Sequence, residues 1–438
     1  MKYKDLSLYE PKILVISNNA FSETSNNGKT LASFFESFSP DNIAQLYFSE
    51  EVPSGTSIDN FYQISDKDII KSIFNTNYQC GRRIAKSPNN TISEFKNGSS
   101  RLAKIFKEHN TARLIREVFW RLGRWKSKDF QRWLGEFSPD IIFFCAGDSG
   151  FTYDITDYIK KKFNSKLAIY ITDDYVLPRK TFNPMWWIRR DFIYWKMKST
   201  VSSSNLFVTI SEKMQHVYKE VFGKDSIVVV NMTESMKVES TECVPNDNIT
   251  FVYAGGLHYN RYETLSLLAE SIKEYNSNFN NEKKACLKIF SNQKPDISIL
   301  KKINIAGASE YCGSLNLKEL KKVLNTCDIP VHVESFEKRS IESTRLSIST
   351  KIPEYLSLGK PVLAIGPKEV ASMEYLKDTA FCITDPNNLY IDLLKLIENI
   401  EIQSSLSKIA IDKYERNHEK EILSEKFKKN IFDMMLSI

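Results

Sequence analysis

Two short stretches and two carboxylates carry residue types suited to chemistry. The first stretch runs Ser349-Thr350-Lys351-Ile352-Pro353-Glu354 and closes on Gly359-Lys360-Pro361. Ser and Thr favour a helix start, where unpaired N–H groups and the helix dipole attract an anion. Lys351 adds a cation there. Glu354 falls about one turn later on the same side, and a carboxylate can accept both hydroxyls of a ribose. The second stretch is Tyr253-Ala254-Gly255-Gly256-Leu257-His258-Tyr259-Asn260-Arg261. Its glycines let backbone N–H groups approach an anion, and Arg261 can make a bidentate contact to a phosphate. Asp148, after the apolar run Ile141–Ala146, is placed to take a proton from a hydroxyl as a general base. Asp173 is the second candidate for that task. Each has a plain structural alternative: a strand–helix turn, a capped helix with a surface Lys–Glu pair, or an N-cap aspartate. Residue chemistry alone favours neither side.

Other chemistries find no support in the spacing. Gly28-Lys29-Thr30 ends like a phosphate-binding P-loop, but Glu23 stands where that motif needs its first Gly. No G-x-G-x-x-G follows the first strand, so nicotinamide chemistry loses its main signature. The five His show no H-E-x-x-H spacing, and no G-x-S-x-G is present. Asp173 and Asp174 are adjacent and would point apart on an extended chain, so they make no metal site. No metal and no cofactor is expected.

The elements that must position these residues alternate. Short β-branched runs at residues 12–17, 140–145, 166–172, 206–211 and 227–231 read as strands, with helical patterns at 151–163 and 211–222 between them. Runs without polar alternation imply strands covered on both faces of a parallel sheet. Residues 232–248 turn polar and read as a linker. The alternation restarts with strands at 249–254, 287–291, 329–333 and 361–365, and helices at 261–275, 317–325 and 351–358. The tail from Pro386 reads as helices. This predicts an α/β chain of two doubly wound halves: residues 1–236, residues 237–415, and a helix over 416–438 packing back on the first half. A ligand in such a chain belongs at the C-terminal ends of the strands, in the cleft between the halves.

Composition bounds the rest. The chain has 438 residues, 42% hydrophobic and 26% charged, with a net charge of +6. Its apolar runs are far shorter than the roughly 20 residues that cross a bilayer. Seven scattered Cys with no C-x-x-C pair read as free thiols of a reducing compartment, the cytoplasm. Fourteen basic residues face four acidic ones between Cys80 and Arg132, and all six Trp lie between Trp120 and Trp195. A basic amphipathic helix over 115–125 with Trp beside it suits an anionic membrane surface; its alternative is a helix packing Ile115, Val118, Phe119 and Leu122 on the core. No nucleic-acid motif accompanies the charge.

The stretch with Glu354 and Gly359-Lys360-Pro361-Val362, together with the Tyr253–Arg261 turn, resembles the donor site of glycosyltransferases of the GT-B fold, especially the bacterial group-1 (family 4-like) enzymes. The resemblance covers most of the chain as architecture and is sequence-specific in residues 249–265 and 327–366. It implies two Rossmann-like domains facing across a cleft, the first on the acceptor side and the second on the donor side. Ser349, Thr350 and Lys351 would hold the donor diphosphate and Glu354 the ribose. Gly255, Gly256 and Arg261 would face the diphosphate or the sugar, and the base would lie near Ser291 and Gly313. Asn27, Gly28 and Lys29 would form the loop nearing donor and acceptor. One departure stands out: the family pattern sets two Glu eight positions apart, and the first is Leu346 here. Glu334, Glu337 and Glu342 lie nearby.

The implied activity is transfer of a sugar from a nucleoside-diphosphate sugar, UDP ahead of GDP, to a hydroxyl of a lipid-linked or polysaccharide acceptor in bacterial capsule or O-antigen synthesis. It would be metal-independent, and would take place at the inner face of the cell membrane. A nucleotide-sugar 2-epimerase and a non-catalytic nucleotide-sugar- or glycan-binding protein are the alternatives.

Overall fold

The computed structural model of the protein describes residues 10–22, 26–84, 109–238, 248–278 and 283–436. It divides into two compact units, Met1–Val229 with Ser424–Ile438, and Val230–Leu423. The described part of the expected linker, up to Val238, is bonded into the second unit: Met236 is buried, and its N–H donates to Ser357 Oγ at 3.0 Å. The rest of that linker lies outside the described residues.

The first unit runs β1 (Ile13–Ser17), α1 (Asn26–Phe35), β2 (Ile43–Tyr47), β3 (Asn60–Gln63), α2 (Asp66–Phe74), β4 (Arg82–Ile84), α3 (Asn110–Leu122), α4 (Lys128–Phe137), β5 (Ile141–Ala146), α5 (Gly150–Phe163), β6 (Lys166–Ile171), α6 (Pro184–Ser203), β7 (Leu206–Thr209), α7 (Glu212–Phe222) and β8 (Ile227–Val228). Its sheet has the order β4-β3-β2-β1-β5-β6-β7-β8. Among the described residues only the β3–β4 pair is antiparallel. All residues of β1, β2 and β5 are buried, as a parallel sheet covered on both faces requires. The strand order reverses between β1 and β5, the switch point where such sheets bind ligands.

β2 escaped the sequence reading because Gln45 interrupts its apolar run. That Gln is fully buried. Its Oε1 accepts the Phe21 N–H at 3.0 Å, and its Nε2 donates to Ser17 Oγ at 2.9 Å, so it braces the chain leaving β1. The polar stretch expected as a loop from Ser25 to Thr30 is different in the structure. From Asn26 it is the start of α1, so Asn27, Gly28 and Lys29 sit in a helical first turn; Ser25 lies outside the described residues. Gly28 permits this, because a Cβ there would come within 2.3 Å of the Ala20 carbonyl oxygen.

The second unit runs β9 (Asn248–Ala254), α8 (Arg261–Ser277), β10 (Lys284–Phe290), α9 (Ile297–Ile303), β11 (Ser309–Gly313), α10 (Leu317–Thr326), β12 (Ile329–Val333), α11 (Lys338–Thr344), α12 (Ile352–Leu356), β13 (Leu363–Ile365), α13 (Ala371–Leu376), β14 (Phe381–Ile383), α14 (Leu389–Glu398) and α15 (Ile400–Asn417), before α16 (Lys420–Leu436). Its sheet is parallel, in the order β11-β10-β9-β12-β13-β14, so its switch point lies between β9 and β12. The tail is not one helix over 416–438. It breaks at His418, which is buried: Nδ1–H donates to the Asn231 carbonyl and Nε2 accepts from the Tyr375 hydroxyl, each at 2.7 Å. Beyond the break, Phe427 packs within the first unit, tilted 4.9 Å from Phe34 and edge-on 5.6 Å from Phe143 between ring centroids.

The basic Trp-rich region has two fates. Trp120 and Trp133 are core residues, 1% and 2% exposed. Trp120 stacks on Phe151 at 3.7 Å and donates to Asp66 at 2.7 Å, so its assignment to a membrane face is corrected. The apolar stripe on α3 does the opposite of packing on the core: Ile115, Val118 and Leu122 are all about half exposed or more. On α6, which packs against α3, Ile188 and Trp195 are also exposed. The smaller part of the basic excess, five basic and two acidic residues within 85–108, lies outside the described residues. Among the described residues no helix is long and apolar enough to cross a membrane.

Candidate functional site

The site in the second unit grows from the C-terminal ends of β9, β10 and β12. β9 delivers Gly255 and Gly256 into the turn before α8. Tyr259 and Asn260 both take left-handed backbone angles there, φ 57° and 54°, which lets the chain reverse and start α8 at Arg261. Three backbone N–H groups of this turn have partners within the unit. Gly255 donates to the Phe290 carbonyl at 3.0 Å. Leu257 and His258 both donate to Gln293 Oε1, at 2.7 and 3.0 Å. Sequence reasoning missed Gln293, since nothing local marks a Gln as the cap of a turn 36 residues away. Ser291 is buried at the end of β10; its N–H donates to the Gly313 carbonyl at 2.8 Å, so the two residues expected near the base are neighbours.

Arg261 stands in a different setting from the one its sequence position suggested. Its Nη2 lies 3.1 and 3.0 Å from the two carboxylate oxygens of Glu334, at the end of β12, and Nη1 donates to His258 Nε2 at 3.2 Å. His332 Nε2 lies 3.3 Å from Glu334 Oε1. Burial would raise the Glu334 carboxyl, but the Arg261 guanidinium, with the His332 imidazole also beside it, outweighs this and holds it at about 2. Burial likewise opposes the Arg261 charge, and Glu334 reverses that and raises its pKa. A buried carboxylate paired so closely stays ionised, and losing either partner would strand the other. Glu334 is thus the acidic residue that fixes Arg261, a role the sequence left unassigned among the three Glu near the absent one.

The Ser349–Glu354 stretch forms a turn leading into α12, a helix of five residues, Ile352–Leu356. Ser349 and Thr350 are not its N-cap; Lys351 is, and the Ser349 carbonyl accepts the Ile352 N–H at 3.2 Å. Pro353 in the first turn permits the tight entry. The Ser349 N–H donates to Ser372 Oγ at 3.1 Å. Lys351 Nζ lies 2.9 Å from Glu354 Oε2. This is no surface pair: Glu354 is 2% exposed. Next to Glu354, Tyr355 reaches back to the end of β9. Its hydroxyl accepts the Ala254 N–H at 3.0 Å and donates to the Ala254 carbonyl at 3.2 Å. The Gly255–Gly256 turn and the Lys351–Glu354 pair are therefore brought together by one buried phenol. A cation, a buried carboxylate, hydroxyls and a Gly turn around one switch point can bind a phosphorylated, hydroxyl-bearing ligand.

In the first unit Asp148 follows β5. It is not the N-cap of α5; Ser149 occupies that place, and the Glu117 carboxylate accepts the Gly150 and Phe151 N–H groups at 2.7 and 2.9 Å. Burial pushes Glu117 up to about 7 in spite of those bonds. Asp148 Oδ2 instead accepts from Arg113 and, at 3.0 Å, from Arg189. Asp173, after β6, accepts from the Tyr175 hydroxyl at 3.2 Å and from Thr172 at 3.3 Å. Asp174 is structural, its Oδ1 taking the Val176 and Leu177 N–H groups at 3.1 and 2.9 Å.

No protein-family model and no curated protein matches the sequence. Solved structures do match in fold over nearly the whole chain. Sucrose-phosphate synthase from Thermosynechococcus elongatus aligns with a TM-score of 0.64 at 10% identity, over 98% of this chain and 100% of its own. HepE from Anabaena, solved with UDP and glucose, aligns with a TM-score of 0.61 at 11% identity, over 96% and 99%. WaaG, a glycosyltransferase involved in lipopolysaccharide biosynthesis, gives 0.58 at 11% identity, over 96% and 99%. With two parallel doubly wound sheets and a helical C-terminal region, the chain has the GT-B fold.

Proposed function

We propose that the protein is a glycosyltransferase that moves a sugar from a nucleoside-diphosphate sugar, UDP ahead of GDP, to a hydroxyl of a lipid-linked or polysaccharide acceptor in bacterial capsule or O-antigen synthesis. The observation that carries this reading is the pair of half-buried Lys351 and buried Glu354, next in sequence to Tyr355, which bonds to the end of β9. In this reading Glu354 accepts the donor ribose hydroxyls. Ser349, Thr350 and Lys351 hold the diphosphate, with Gly255 and Gly256 beside it and the base near Ser291. As the bond to the sugar breaks, negative charge grows on the leaving diphosphate, and preorganised cations stabilise it. Lys351 supplies one. Arg261, held rigid by Glu334, supplies the second, without a metal ion. HepE, solved with UDP and glucose, supports UDP over GDP.

On the acceptor side, Asp148 and Asp173 were the two candidates for the base. Oδ2 of Asp148 pairs with two guanidiniums, which favour its anion and oppose its taking a proton, whereas the hydrogen bonds to Oδ2 of Asp173 come from neutral hydroxyls, so the proposal gives the proton-accepting role to Asp173. Asn27, Gly28 and Lys29, at the start of α1, follow β1 at the switch point of the first sheet, where an acceptor would be met. The exposed stripe Ile115, Val118 and Leu122, with Arg121 and Arg124 beside it and Trp195 on α6, supports peripheral contact with an anionic inner leaflet. The test is release of UDP from UDP-sugars with and without a lipid-linked glycan acceptor. Acceptor-dependent release that Glu354→Gln abolishes supports the reading. Donor binding with no release under any acceptor would make the protein a non-catalytic binder.

A further inference from the structure

The switch point of the first sheet gathers cations around a single carboxylate. Arg113 comes from α3 and Arg189 from α6, and both reach Asp148 Oδ2. Arg189 is also fixed from Nε to Asn110 Oδ1 at 3.1 Å, and its side chain is 13% exposed. One carboxylate thus faces two guanidiniums. Burial lowers the Arg189 pKa, Asp148 opposes that shift, and the charges of Arg113 and Arg179 add to it. Of the nearby acids, Asp173 accepts from the Tyr175 and Thr172 hydroxyls, Asp174 from two backbone N–H groups, Glu117 from the Gly150 and Phe151 N–H groups, and Asp66 from Arg116 at 2.8 Å. Crowded guanidiniums in a part-buried place gain most from a dianion that meets their fork geometry.

A second group at the same switch point lacks a partner. Asn18 follows β1, and its side-chain oxygen is buried with no hydrogen-bond partner among the described residues. An orphaned buried acceptor calls for an explanation, and a ligand hydroxyl supplies one. Gly147, just before Asp148, keeps the place open, since a Cβ there would come within 2.7 Å of Asn18 Nδ2. Donors for an anion and an acceptor for a hydroxyl therefore stand side by side, between the ends of β1 and β5.

We propose that Arg113 and Arg189, beside Asp148, bind the phosphate of a phosphorylated acceptor, and that Asn18 accepts a hydrogen bond from one of its hydroxyls. The proposal rests on the glycosyltransferase reading above for the word acceptor. Phosphate on a soluble sugar and phosphate in a lipid diphosphate share this chemistry, and the test separates them.

The experiment measures binding to the full chain by calorimetry with four probes: inorganic phosphate, glucose 6-phosphate, glucose, and vesicles doped with a polyprenyl diphosphate. UDP is titrated in parallel, and the same set is run on Arg113→Ala and Arg113→Lys. The expected result is binding of at least one phosphate-bearing probe and none of glucose, weakened at least tenfold in Arg113→Ala, with UDP affinity unchanged. Arg113→Lys, which keeps the charge and loses the fork, should fall between. Preference for glucose 6-phosphate over the vesicles assigns a soluble acceptor, and the reverse a lipid-borne one. The proposal is overturned if no phosphate-bearing probe binds while UDP does, or if Arg113→Ala binds them as well as the parent. Loss of UDP binding alone, with phosphate binding intact, would sink the donor reading and leave this site standing.

Discussion

Tyr355 and Ala254, 101 residues apart in sequence, exchange two hydrogen bonds through one phenol: the hydroxyl accepts the Ala254 N–H at 3.0 Å and donates to its carbonyl at 3.2 Å. Burial raises the Tyr355 pKa well above that of a free phenol, so it stays a donor. The bond pair pins α12 to the last residue of β9, the residue before the Gly255–Gly256 turn. Tyr355→Phe keeps the ring and removes both bonds, leaving Ala254 with unsatisfied buried groups. A loss of about 1–3 kcal/mol in urea unfolding is expected, with weaker UDP binding. Unchanged UDP affinity would mean that the two segments do not act together.

Glu354→Gln removes the charge and keeps the shape. If Glu354 accepts ribose hydroxyls, UDP affinity should fall by about 1–3 kcal/mol, and the loss should be much smaller for a diphosphate that lacks ribose. Equal losses for both ligands would assign Glu354 to Lys351 alone.

The Arg261–Glu334 pair makes a prediction about coupling. Glu334→Ala strands a buried guanidinium and should cost about 3–5 kcal/mol. Arg261→Ala should cost a similar amount, because it strands the carboxylate. The double variant should cost far less than their sum. Additive losses in a double-mutant cycle would contradict the pairing.

His418 predicts a pH dependence. Burial holds its pKa down at about 4, against 6.5 for the free side chain. The unfolded chain then binds a proton that the folded chain refuses. This stabilisation is complete above pH 6.5 and is lost as pH falls towards 4, by on the order of 3 kcal/mol. Urea unfolding at pH 7.5, 5.5 and 4.5 should show the decline, and His418→Gln should flatten it. An unchanged slope in that variant would assign the acid sensitivity elsewhere.

The membrane proposal rests on the apolar stripe of the expected helix, without the buried Trp120. Ile115, Val118 and Leu122 changed together to Ser should lower sedimentation with anionic vesicles, while the fold, which leaves them about half exposed, stays cooperative with a modestly lower melting temperature. Sedimentation equal to the parent's would return the stripe to other uses.

Much of the fold was legible because buried parallel strands are written as unbroken apolar runs, as in Ile141–Ala146. What was missed broke that rule. β2 carries Gln45 in its middle. β11 and β14 are short strands at or near the sheet edge. α6 shows no apolar stripe, because Trp186, Trp187, Ile188, Phe192, Ile193 and Trp195 surround its axis. The candidate donor segments were legible as short motifs, yet their partners were not. Glu334 meets Arg261 from 73 residues away, and Asp148 meets Arg113 and Arg189 from two other helices. Such pairs depend on which strand ends the topology places side by side, and no local spacing encodes that.

The central claim is a nucleoside-diphosphate site in the second unit. Its most direct test is thermal unfolding of the full chain with UDP, GDP, ADP, CMP and NAD in turn. A ligand that binds only the folded state adds about 2.7 kcal/mol at a hundredfold excess over Kd. The account predicts a rise with UDP that Glu354→Gln reduces at the same UDP concentration. A rise with NAD alone, or a UDP shift that Glu354→Gln leaves intact, would contradict it.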